Sequence, residues 1–107
     1  MKDDMEISTE QLEEKIKNKE DFLLLDVREK WEREICKIEG DVHISVRELN
    51  SRYEELPKDK EIIVYCHSGN RSLWAANLLE RFGFSAKSLA GGVDEWAEKI
   101  DNSMERY

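Results

Sequence analysis

Proline is nearly missing from this chain: there is one, at position 57, beside five glycines in 107 residues. So little of either leaves no room for a flexible linker, and the length suits one domain, residues 1–107, able to bury a core without staples. Cysteine is just as scarce. Cys36 and Cys66 stand 30 positions apart, and two thiols at this size do not make a disulfide scaffold. Positive charge is in deficit too: the net charge of −8 argues against a nucleic-acid or membrane surface, which needs clustered Lys and Arg. No apolar run is long enough to cross a bilayer, and Met1-Lys2-Asp3-Asp4 lacks the apolar region of a signal peptide. Repeats and low-complexity tracts are missing as well. A reducing, cytoplasmic setting is the resulting expectation.

What the chain does have is apolar residues in short, ordered clusters. Ser8-Thr9-Glu10-Gln11 fits a capping box, with Ile7 and Leu12 as its hydrophobic staple, and Leu12 and Ile16 then form a buried stripe. Phe22-Leu23-Leu24-Leu25, ending at Asp26, reads as a strand apolar on both faces, the mark of a central position in a sheet covered on each side. Val42-His43-Ile44 is a shorter strand. Ser45-Val46-Arg47-Glu48 repeats the capping box, with Ile44 and Leu49 as staple, and Leu49, Tyr53 and Leu56 predict a helix that Pro57 stops. Ile62-Ile63-Val64-Tyr65 is a second continuous apolar strand. Ala75, Leu78, Leu79 and Phe82 predict a helix ending at Gly83, and Ala86 to Leu89 a weak strand. Gly91-Gly92 turns the chain into a last helix buried through Val93, Trp96, Ala97 and Ile100. Strands alternating with helices point to an α/β domain with a mostly parallel central sheet flanked by helices.

In such sheets ligands bind outside the carboxyl ends of the strands, and Cys66-His67-Ser68-Gly69-Asn70-Arg71-Ser72 follows directly on one of them. A cysteine attacks only as its thiolate, and a free thiol with a pKa near ~8.5 is mostly protonated at neutral pH. Successive amides in a tight turn form an anion nest, Gly69 permits the positive φ this needs, and a helix starting near Ser72 aims its positive end at the sulfur. Arg71 adds a full charge at the rim. A thiolate held this way can take up a sulfane sulfur and carry it as a persulfide, with no metal or organic cofactor implied.

Three motifs, Asp26-Val27-Arg28-Glu29, Val64 to Ser72, and Leu89-Ala90-Gly91-Gly92-Val93-Asp94-Glu95-Trp96, resemble those of single-domain rhodanese sulfurtransferases, in the family's order over roughly residues 5–101. The resemblance implies a rhodanese-like three-layer fold. It makes Cys66 the sulfur-accepting nucleophile, His67, Ser68, Gly69, Asn70 and Arg71 the substrate- and persulfide-binding loop, and Asp26, Arg28 and Ser72 its supports. It also implies a donor, thiosulfate or a small-molecule or protein persulfide, and a thiol or cyanide acceptor. Four residues separate Cys66 from Arg71, as in rhodaneses; the related dual-specificity phosphatases and arsenate reductases have five, so the count favours sulfur transfer. The family also includes non-catalytic interaction modules, commonly with the cysteine replaced, and Cys66 is retained here. Two departures stand out. Lys37 to Ser45 lacks the family's Gly-His-Ile-Pro-Gly-Ala segment, and the loop holds only Arg71 and a histidine, so a persulfide donor stands beside thiosulfate.

The remaining residues invite plainer readings. Cys36 is structural or incidental, or else resolves a persulfide or forms a disulfide under oxidation, and His43 is a satisfied strand histidine. His67 either tunes the thiol or substrate or is an exposed loop residue without chemistry. Together Cys36, His43, Cys66 and His67 lack zinc-like spacing. Trp74 falls off its helix's buried stripe near the loop, where it is either a docking surface or an ordinary exposed aromatic. The acidic runs Glu13-Glu14 and Glu54-Glu55 are solvated helix faces.

Overall fold

Both doubly apolar strands lie side by side at the centre of the sheet. A computed structural model describes residues 5–107, and Met1–Asp4, read above for a signal region, lie outside the described residues. The elements are β1 (Glu6–Ile7), α1 (Thr9–Lys17), β2 (Phe22–Asp26), α2 (Lys30–Ile35), β3 (Val42–His43), α3 (Leu49–Arg52), β4 (Glu61–Tyr65), α4 (Asn70–Arg81), β5 (Ser85–Leu89) and α5 (Gly92–Lys99). Five parallel strands run in the order β1-β5-β4-β2-β3, with Leu23 opposite Ile62 and Leu25 opposite Val64.

Side chains of β4 alternate between two cores, as the two-residue period of a strand requires. Ile62 and Val64 pack with Leu49, Ala75, Ala76 and Leu79 from α3 and α4. Ile63 and Tyr65 face the other way, against Leu12 of α1 and Val93 and Trp96 of α5. The α/β expectation therefore holds, with three layers and the sheet in the middle.

Local signals succeed where the chain is free to obey them. Ser8 Oγ accepts from the Gln11 amide at 3.0 Å and Gln11 Oε1 from the Ser8 amide at 2.8 Å, closing the capping box of α1. Ile16, however, is 41% exposed and not part of a buried stripe; α1 is short, and only Leu12 reaches the core. The second capping box does not form. The Val46 amide donates to the Val27 carbonyl at 2.9 Å and Ile44 to Asp26 at 3.1 Å, which keeps this segment beside the end of β2. α3 starts only at Leu49, and Ser45 Oγ is buried without a partner among the described residues. The predicted helix also tightens into a 3-10 turn at Tyr53–Glu55 before Pro57. Two elements lie outside the sequence reading, the two-residue β1 and helix α2. The second matters most for the site.

The chain crosses from β2 to β3 on one side and from β4 to β5 on the other, so the sheet changes direction between β2 and β4. A crevice opens at the carboxyl ends of such a strand pair. Cys66 follows β4 there, and Arg28 and α2 follow β2.

Candidate active site

Cys66 leaves β4 as a buried residue, 1% exposed, and the chain wraps back over its sulfur. The Gly69 amide donates to Sγ at 3.1 Å and the Ser72 amide at 3.3 Å. Gly69 has φ +117°, a left-handed conformation that glycine adopts without a side-chain penalty, and it caps α4. The helix therefore begins at Asn70, two residues ahead of the expected start, and its first turn supplies the Ser72 amide. Ser72 is a direct partner of the sulfur: its hydroxyl lies 3.4 Å from Sγ and 2.7 Å from the Ser88 hydroxyl on β5. The Ser72 hydroxyl also donates to the Gly69 carbonyl at 3.2 Å, which ties it to the loop.

A second backbone layer holds the loop from behind. At the start of α5 the Val93 amide donates to the Cys66 carbonyl at 2.9 Å and the Asp94 amide to the His67 carbonyl at 3.0 Å. These are helix-terminal amides that lack an intrahelical acceptor. Gly92, at φ +61°, lies so close to the loop that a Cβ there would sit 2.4 Å from the His67 carbonyl oxygen. This is the physical reason for glycine at position 92.

Around the loop runs a chain of paired charges. Asp26 and Arg28 are fully buried; Asp26 accepts from the Arg28 backbone and guanidinium at 2.9–3.0 Å and from Arg33 at 2.9 Å. Burial opposes the charge on Arg28, but its hydrogen bonds to Asp26 and Tyr107 outweigh that cost and raise its pKa. The same guanidinium donates to the Cys36 carbonyl at 2.7 Å. Asp26 and Arg28 thus lock the end of β2 to the turn after α2, and neither is hydrogen-bonded to the sulfur.

Arg71 differs from expectation. Its charge is not free at the rim: Nη1 and Nη2 donate to the two carboxylate oxygens of Glu32 at 2.7 and 2.8 Å. Glu32, on α2, is 2% exposed. Burial would raise its pKa, but the Arg71 pair, the Glu29 amide and the Tyr107 hydroxyl hold it down at about 2. Tyr107 joins the two ion pairs, accepting from Arg28 at 2.9 Å and donating to Glu32 at 2.8 Å. Its ring stacks on His67 with centroids 4.1 Å apart. Among the described residues His67 Nε2 is buried without a partner, and no hydrogen bond links it to Cys66.

Glu32 and Tyr107 are the site residues that sequence reading missed. For Glu32 a signal exists, since Glu29 and Glu32 have capping-box spacing; Tyr107 carries none. Ser68 and Asn70 are exposed on the loop's outer face. His43 Nε2 donates to the Arg28 carbonyl at 2.7 Å, a structural role. Cys36 is a free, half-buried thiol whose pKa is raised by burial. Among the described residues no helix is long and apolar enough to cross a membrane, and no cluster of three or more His, Cys, Asp or Glu stands ready for a metal ion.

Comparison with known proteins agrees with this architecture. YtwF of Bacillus subtilis is 40% identical over 85% of this chain and 88% of its own length. A protein of Allochromatium vinosum named sulfurtransferase is 33% identical, covering 86% of this chain and 87% of that one. The chain spans about half, 52%, of another Bacillus subtilis relative, YrkF, at 38% identity. Among solved structures, a rhodanese-related protein of Thermoplasma volcanium superposes with a TM-score of 0.83 at 33% identity, over 89% of this chain and 92% of that one. The sequence profile of the rhodanese-like domain matches residues 8–99, and the chain belongs to the rhodanese-like family.

Proposed function

We propose that this chain, as one rhodanese-like domain with its core at about residues 5–101, is a sulfurtransferase that works through a persulfide on Cys66. The observation that carries the reading is the pair of amides, Gly69 and Ser72, aimed at the sulfur from 3.1 and 3.3 Å at the start of a helix. Backbone dipoles fixed in this way favour an anion without any reorganisation, and a helix N-terminus adds to them. The thiolate attacks the outer sulfur of thiosulfate or a persulfide. A new S–S bond forms on Cys66, the donor's S–S bond breaks, and its electron pair departs with sulfite or a thiolate. The outer sulfur then passes to cyanide or a thiol, regenerating the Cys66 thiolate. The name of the Allochromatium vinosum relative supports the class of reaction. Its setting is proposed to be the cytoplasm.

A second reading, a non-catalytic interaction module, draws on the 1% exposure of Cys66, since a donor reaches the sulfur only if the loop mouth opens. Intact-mass analysis after incubation with thiosulfate or a persulfide separates the two. One added sulfur, removed by reductant and lost in Cys66→Ser, is the expected result. An unchanged mass in the folded wild-type protein assigns the module instead.

A further inference from the structure

Resting on the sulfur-transfer reading, we propose that the donor is an organic persulfide with a small apolar body, and that the body binds in a cleft beside the loop formed by Trp74, Val46 and the stem of Arg47. Two independent features carry this, the shape and chemistry of the cleft and the cancellation of charge at its rim.

The cleft holds about 410 Å³ and is lined by Val46, Arg47, Asn70, Arg71 and Trp74. It is a shallow depression open to solvent, so its fit to a ligand rests on its lining and not on its volume. Asn70 and Arg71 belong to the sulfur loop itself, so whatever occupies the cleft lies against that loop; Cys66, 1% exposed, is not part of the lining. Its walls are mostly apolar. Trp74 is 54% exposed, one turn along α4 from Arg71, and offers an indole face with no aromatic neighbour in stacking range among the described residues.

Both arginines at the cleft are already paired. Arg71 is held by Glu32, and Arg47 donates to Glu29 at 2.6 and 3.1 Å. Two positive and two negative charges leave the rim neutral on a chain whose net charge is −8. Thiosulfate brings two negative charges and expels sulfite, also a dianion; stabilising both takes free cations. An organic persulfide asks less. Cys66 thiolate attacks its outer sulfur, the Cys66 S–S bond forms, and the donor S–S bond breaks. The pair leaves on R–S as a monoanionic thiolate, with no outside oxidant or reductant. The amides that hold Cys66 serve this single charge, and the body R stays on Trp74.

The test compares three donors on the intact protein: benzyl persulfide generated in situ, cysteine persulfide and thiosulfate. Loading of Cys66 is followed by mass, each rate divided by that donor's rate with free cysteine to remove intrinsic reactivity. Benzyl persulfide should lead cysteine persulfide by about tenfold and thiosulfate by more. Trp74→Ala, at an exposed position that leaves the core intact, should slow benzyl persulfide about tenfold and move the other two less than twofold. Glu32→Gln should raise the ratio of thiosulfate to benzyl persulfide loading about tenfold, whatever it does to the absolute rates. Equal normalised rates for the three donors, a Trp74→Ala effect that is absent or uniform, or an unmoved ratio in Glu32→Gln would overturn the proposal. Loading that persists in Cys66→Ser, or is absent with every donor, overturns the sulfur-transfer reading instead.

Discussion

The sulfur loop and the charge network beside it solve different problems with different parts of the chain. In the loop, residues 66–72 place two amides on one sulfur, and all the ligating groups lie within six positions of each other. In the network, Glu32 meets Arg71 from 39 positions away and Tyr107 from 75. The loop concentrates positive dipole on a single atom. The network does the reverse and cancels whole charges in pairs. A candidate site can therefore gather positive backbone dipole at its centre and be nearly neutral at its rim. The helix dipole and fixed amides act within a few ångströms, whereas Arg71, the loop's one guanidinium, is spent on Glu32.

The difference can be broken most severely at Gly92. Gly92→Ala drives a Cβ against the His67 carbonyl and imposes a left-handed φ on alanine, so the α5 amides lose their hold on the loop. Sulfur loading should fall by a hundredfold or more and stability by about 3 kcal/mol, read by mass and by urea denaturation. A variant that keeps wild-type loading would show that the loop does not need its rear layer.

Next is the network alone. Glu32→Ala strands Arg71 and removes the acceptor of Tyr107; breaking a mostly buried pair from one side costs about 3 kcal/mol. Arg71→Ala shares much of this cost, because it leaves Glu32 buried and unpaired.

Acid probes the same pair without mutation. Glu32 has its pKa depressed to about 2 from an ordinary value of 4.5, so its stabilisation is fully present above pH 4.5 and fades as pH falls toward 2. Between pH 4.5 and pH 2 the unfolding free energy from urea denaturation should drop, by up to about 3 kcal/mol from this group. In Glu32→Gln that share of the drop should vanish; an identical acid profile would remove Glu32 from the account. The smallest effect belongs to Tyr107→Phe. It deletes the hydroxyl between Arg28 and Glu32 but keeps the ring against His67, and should cost about 1 kcal/mol with loading altered less than threefold.

Legibility in the sequence follows the same division. The sheet's centre was readable because β2 and β4 are apolar without interruption, which only a strand covered on both faces tolerates. α1 was readable because its cap is made by residues three apart. The identical pattern at Ser45 misled, since backbone hydrogen bonds to the end of β2 outbid the local cap. α2 escaped notice because its six residues carry little apolar periodicity: Trp31 is 59% exposed, and the residue α2 buries is a charged one, Glu32. Such a helix announces itself by its partner, not by its pattern.

By itself the chain order determined the strand and the glycine that bend residues 66–72 around a sulfur, because backbone conformation depends on near neighbours. Only the folded chain decided how charged the surroundings are. That balance depends on which side chains the sheet crossing brings to Arg71, Arg28 and Trp74, and Coulomb's law follows distance in space, not separation along the chain.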